Sequence, residues 1–130
     1  MTVHATRTGK GTYIGRNENG ASVRIGHGEG EFTPGELLQL ALGACQALSA
    51  DHNLSHFLSD SFAAELTVQE DKNAAENRYD ALAITLDVNR GQLPEDRQEK
   101  LEHRVAHAIE RQCTVGRTLD HGVEHTFTLK

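Results

Sequence analysis

No tryptophan and only six other aromatic residues occur in this chain of 130 residues, so little bulk is available for a large self-contained core. A partner subunit would supply what one copy lacks. Prolines number two, and no Pro- or Gly-rich tract or charge run separates one part of the chain from another, so a single domain over residues 1–130 is expected. Long apolar runs are also missing. The longest, Leu37 to Ala50, is interrupted by Gln39 and Gln46 and is too short to span a bilayer, while Met1 to Lys10 has no apolar core of a secretion signal. These features point to a cytoplasmic protein without a membrane partner. Basic residues are in deficit, 13 Lys and Arg against 19 Asp and Glu for a net charge of -6, which argues against nucleic acid as a partner.

Cysteine is scarce too. Two thiols far apart in a chain with no export signal do not form a disulfide scaffold, so they are either inert buried residues or a working redox pair.

What is present reads as alternating strands and helices. Tyr13 and Ile14, then Asn19-Gly20, then Val23 and Ile25 give a hairpin between Gly11 and Gly26. Gly26 to Gly30, with Glu29 and Glu31, reads as a flexible acidic loop. Thr33-Pro34-Gly35-Glu36 is a helix start, with Thr33 as N-cap and Glu36 placed to complete a capping box. The helix predicted from there to about Asn53 is apolar on nearly every side and needs something wrapped around it. Phe62–Glu70 and Tyr79–Val88 alternate as strands about a polar loop, Asp71 to Arg78. Leu93-Pro94-Glu95 opens a second helix to about Gln112, with one apolar stripe of Leu101, Val105, Ala108 and Ile109. A turn or helical segment, Thr114 to Asp120, and a last strand, Val123 to Leu129, complete the order β-β-α-β-β-α-β. The class is α+β with a largely antiparallel sheet.

Cys45 stands among apolar neighbours on the first helix, where a free cysteine is by default a small core residue. Cys113 ends the second helix, and if the two helices pack together the thiols can meet, subject to the short Cα spacing that a disulfide demands. Three histidine pairs at i, i+4 spacing, His52/His56, His103/His107 and His121/His125, could in principle hold zinc. His103 and His107 fall opposite the apolar stripe, and no H-E-x-x-H pattern accompanies them, so solvated histidines are the expectation.

The run Phe32-Thr-Pro-Gly-Glu-Leu-Leu-Gln-Leu-Ala-Leu-Gly-Ala-Cys45 resembles the cysteine helix of the OsmC/Ohr family, and Gln112-Cys-Thr-Val-Gly-Arg-Thr-Leu119 is similar to that family's second cysteine motif. The resemblance extends over nearly the whole chain. It implies antiparallel sheets wrapped around a buried central helix in an entangled homodimer. It further implies a peroxidase that reduces organic or lipid hydroperoxides, with Cys45 peroxidatic and Cys113 resolving through an intramolecular disulfide. No cofactor is implied beyond an external dithiol reductant of lipoyl or thioredoxin type.

An unperturbed thiol is mostly protonated at neutral pH, so Cys45 needs an activator, and the family uses an Arg held by a Glu. In this chain the resemblance points to Arg16 of the first hairpin, with Arg24 the other choice. Glu36 stands nine residues before Cys45, whereas members resembling Ohr carry the glutamate ten before, where this chain has Gly35. Nine helical residues are a rise of about 13.5 Å and a half rotation, so Glu36 would serve the other subunit's site or only cap its helix. Leu38, Ala41 and Leu42 beside Cys45 would line an apolar substrate pocket or simply be core. Two other readings keep the cysteines without turnover: a slow thiol sensor or ligand-binding dimer, and a structural dimer with inert thiols.

Overall fold

The computed structural model describes residues 2–130, and the chain gathers into two compact units, Met1–Leu40 and Ala41–Lys130.

The first unit is built on a three-stranded antiparallel meander, β1 (His4–Gly9), β2 (Thr12–Arg16) and β3 (Ser22–Ile25). The β2–β3 hairpin turns at Asn19-Gly20 as expected. Asn17 ties the turn, its Oδ1 accepting from the N–H groups of Asn19 and Ala21 at 3.0 Å each, and Gly20 takes the positive φ of 86° that favours glycine there. Strand β1 lies outside the expected order. Its run His-Ala-Thr-Arg-Thr-Gly has almost no apolar alternation, and it forms because β2 offers a backbone edge, from His4 opposite Arg16 to Gly9 opposite Thr12. The loop that follows β3 is tied rather than loose. Glu31 turns back, its Oε1 accepting from Gly28 N at 2.9 Å and its Oε2 from Thr12 Oγ1, which holds its carboxyl below the usual carboxylate range.

Helix α1 (Pro34–Phe57) begins on the expected capping box. Glu36 N donates to Thr33 Oγ1 at 3.1 Å, and Thr33 N donates to Glu36 Oε1 at 2.8 Å. It runs one turn past Asn53, because no glycine stops it and Leu54 and Phe57 extend its apolar side into the core.

In the second unit, β4 (Ala64–Asn73) and β5 (Arg78–Val88) form a two-stranded antiparallel ribbon. The connection is shorter than the expected 71–78 loop. Ladder bonds do not require apolar side chains, so Lys72 still pairs with Tyr79 and Asn73 with Arg78, and Asn77 makes the turn at φ 52°. Helix α1 lies close on this ribbon at Gly43, where an added Cβ would stand 2.8 Å from Val68 Cγ2 and 3.2 Å from Leu66 Cδ2.

Helix α2 (Glu95–Gln112) carries Leu101 into a cluster with Ala50, Leu54 and Phe57 of α1, and Arg97 lies over the Phe57 ring at 4.3 Å. Phe57 therefore meets the start of α2, and as described below Cys45 meets its end. The two helices run antiparallel. Helix α3 (Thr114–His121) follows at once, with Cys113 the C-cap of α2 and the N-cap of α3.

Two expectations change in a single chain. Residues 123–129, expected as a last strand, pair with no other strand among the described residues, and their apolar members Val123, Phe127 and Leu129 are exposed. An alternating pattern supplies a strand's faces but not a neighbour for its backbone groups. The observed order is thus β-β-β-α-β-β-α-α, still α+β with antiparallel sheets. Helix α1 is buried along Leu42, Ser49, Ala50, Leu54 and Phe57, while Leu48 on its other side is 74% exposed.

Candidate functional site

Cys45 lies mid-helix on α1 and is partly covered, whereas Cys113 at the α2–α3 junction is 2% exposed. Both thiols are free, and they lie near enough for each to shift the other's ionisation. The antiparallel packing of α1 on α2 accounts for this meeting, since it lays the middle of one helix against the end of the other.

The junction also supplies the electrostatics. Cys113 adopts an extended backbone, φ -76° and ψ 94°, so α3 begins afresh beyond it with its first N–H groups free of helical partners. The Cys113 sulfur accepts one of them, Gly116 N, at 3.3 Å. Cys45 receives others. The Val115 N–H, foremost, and then the Cys113 thiol and the Thr114 N–H draw the Cys45 thiol below its ordinary range, against the opposing effect of partial burial. Burial pushes the Cys113 thiol up, with the neighbouring Cys45 adding to the rise and Gly116 N–H offsetting part of it. The two sulfurs are thus inequivalent, one eased toward thiolate and the other held as thiol.

Glycine at 116 permits this arrangement. A Cβ there would stand 3.1 Å from Cys113 Sγ and 3.7 Å from Leu42 Cδ1. These backbone donors escaped the sequence reading, which looked for a cation. The signal was the cysteine followed by Thr-Val-Gly, a cysteine in N-cap position with three unpartnered N–H groups behind it.

The other expected site residues distribute as follows. Arg16 pairs with Ser22 across the β2–β3 ladder and Arg24 with Ile14, so both arginines stand on the same face of the first unit's sheet. Arg24 also lies near Glu31 and helps hold its carboxyl ionised, while Arg16 makes no ion pair among the described residues. Glu36 is occupied in the capping box. Of the expected pocket residues, Leu42 is buried against the Cys113–Gly116 turn, while Leu38 is 39% exposed and Ala41 is exposed. Among the described residues no group of three His, Cys, Asp or Glu could hold a metal ion, and no helix is long and apolar enough to cross a membrane.

This is an α+β chain with antiparallel sheets, whose long cysteine helix packs on a second helix ending in cysteine. Comparison with known proteins agrees: the sequence pattern described as OsmC-like protein matches residues 26–128, and the chain belongs to that family. It is 40% identical over 118 residues to an uncharacterized protein of Mycobacterium tuberculosis, covering 89% of this chain and 86% of the relative. Among solved structures, it is similar to an OsmC-like protein from Mycoplasma pneumoniae, with a TM-score of 0.69 and 11% identity over 92% of this chain and 86% of the other. It is also similar to the organic hydroperoxide resistance protein OhrB of Bacillus subtilis, with a TM-score of 0.53 and 20% identity over 90% and 88% of the two chains. At these identities the solved structures speak for the fold.

Proposed function

We propose that the protein is a thiol peroxidase for organic hydroperoxides, with Cys45 as nucleophile and Cys113 as resolving thiol. The observation that carries the reading is the facing pair of unequal thiols at the start of α3. The Cys45 thiolate attacks one peroxide oxygen, forming an S–O bond as the O–O bond breaks, and the departing alkoxide takes a proton. Cys45 is then a sulfenic acid. The Cys113 sulfur attacks it, the S–S bond forms and water leaves, which stops further oxidation. A dithiol reductant reopens the disulfide by two exchange steps.

In this reading Arg16 supplies a cation that steadies the developing alkoxide, and Arg24, on the same sheet face, is the other candidate. The capping box favours the helix-cap role for Glu36. A second copy of the chain would cover Leu48 and the exposed 123–129 segment, as the resemblance to entangled dimers implies. Organic peroxides suit the apolar surroundings of Cys45 on α1 better than hydrogen peroxide.

Stopped-flow turnover of cumene hydroperoxide with a dithiol tests the proposal. Turnover should vanish in Cys45→Ser and fall at least about tenfold in either Arg16→Ala or Arg24→Ala, as expected for loss of one charged transition-state contact. The second reading, a slow thiol sensor, is favoured instead if Cys45 oxidises at the rate of a free thiol and neither arginine matters.

A further inference from the structure

The chain is acidic overall, yet the flank of α2 beside its buried face gathers basic residues. Arg97, Lys100, Arg104, His107 and Arg111 recur at spacings of three and four residues, which places them within an arc of about 80° along about 21 Å of helix. Glu95, Glu99, Glu102 and Glu110 fall on another side, and Asp96 of the first turn borders the stripe. A merely solvated helix gains most by interspersing the two signs in i, i+4 pairs; here Asp96 and Lys100 make one such pair, while Arg104 and Arg111 have no acid at that spacing. Arg97 is engaged with the Phe57 ring, but Lys100, Arg104 and Arg111 make no ion pair among the described residues.

A groove of about 430 Å³ runs beside this stripe, walled by Arg104, His107 and Arg111 of α2 and by Asn53 of α1, with buried Ala108 at its floor. No carboxylate lines it. The α1 positions on Asn53's side, Gln46, Ser49 and His56, carry no acid either. Arg111 and Gln112 are shared with a second hollow that continues around the α2–α3 junction past Arg117 and His121, again without a carboxylate. Cys113 itself is buried and lines neither hollow, but its chain neighbours do, Gln112 in both and Thr114 in the second.

We propose that this basic groove is the docking surface for the acidic face of the protein dithiol that reduces the Cys45–Cys113 disulfide. The inference rests on the peroxidase reading for its purpose, though the surface itself does not. Charge complementarity sets the partner's sign, and continuity with the Cys113 junction sets the role. A reductant thiolate held there attacks one sulfur of the disulfide, its second thiol closes its own disulfide, and two electrons and two protons pass to Cys45 and Cys113.

The probes are two synthetic dithiol peptides, each with a Cys-Gly-Pro-Cys centre, flanked in one by glutamates and in the other by lysines. The full-length protein is oxidised with diamide, so that the assay does not depend on peroxidase activity, and recovery of its thiols is followed at low and high salt. The acidic peptide should reduce the protein about tenfold faster or more at low salt, and the advantage should disappear at high salt and in R104E/R111E. Equal rates for both peptides, or a preference untouched by R104E/R111E, would overturn the proposal. Should diamide yield no disulfide, the peroxidase reading fails by itself, and anisotropy of a labelled glutamate peptide still decides the docking surface. Salt-sensitive binding lost in R104E/R111E supports it, and no binding overturns it.

Discussion

The Cys113 sulfur stands 3.3 Å from Gly116 N, so the thiol that faces Cys45 is also the N-cap of α3. That relationship fixes the sulfur on the side of the junction that faces Cys45. An alanine at 116 would bring its Cβ to 3.1 Å from the same sulfur, which must then give way. In Gly116→Ala the first oxidation of Cys45 should keep its rate, while disulfide closure slows several-fold and sulfinic acid accumulates on Cys45. Mass spectrometry after a peroxide pulse measures both. Unchanged closure would mean that the cap does not set the sulfur's position.

The unequal thiols give a pH signature. Because Val115 N–H and its neighbours favour the Cys45 anion, its thiolate fraction rises at lower pH than that of an ordinary thiol of about 8.5, and Cys113 titrates above it. Iodoacetamide labelling at graded pH should therefore modify Cys45 first, with a midpoint below that of free cysteine. Cys113→Ser should raise the Cys45 midpoint only in part, since the largest contribution comes from the backbone of α3. Labelling of Cys113 ahead of Cys45 would reverse the assigned roles.

Glu36 separates two roles by substitution. Thr33→Ala removes the hydroxyl that accepts from Glu36 N, and the unfolding free energy should fall by about 1 kcal/mol. Glu36→Gln retains an acceptor for Thr33 N but removes the charge. Stability and peroxide turnover should both survive it; turnover lost at unchanged stability would return Glu36 to the catalytic machinery.

Leu48 tests the second copy. Leu48, 74% exposed in the middle of the longest helix, is a position that a second copy would cover together with Val123, Phe127 and Leu129. Sedimentation should find a dimer for the natural protein and a monomer, or a dissociation constant raised by orders of magnitude, for Leu48→Glu. A natural protein that sediments as a monomer would remove the dimer from the account.

Much of this fold could be read in advance where side chains alone decide the conformation. The capping box at Thr33 and Glu36, the Asn19-Gly20 turn and the Leu101–Val105–Ala108 stripe each carry their own local cause. Strand β1 and residues 123–129 were misjudged in opposite directions for one reason, that a strand depends on whether a neighbouring backbone edge is offered. His4–Gly9 pairs with β2 and needs no apolar pattern, whereas Val123 to Leu129 has the pattern and pairs with no strand among the described residues. The two cysteines were legible from their motifs. The donors at Cys45 were not, because backbone N–H groups bear no letter in a sequence, and only the extended conformation of Cys113 exposes them. Nor could residue types tell that Arg16 and Arg24 share a face, since that depends on the register across a five-residue loop.

Peptide mapping after a single equivalent of cumene hydroperoxide tests whether Cys45 and Cys113 form one redox couple. The protein should lose two hydrogens, yield one cross-linked peptide joining Cys45 to Cys113, and be fully restored by a dithiol. Intact free thiols, or a sulfinic acid on Cys45 with Cys113 still reduced, would contradict it.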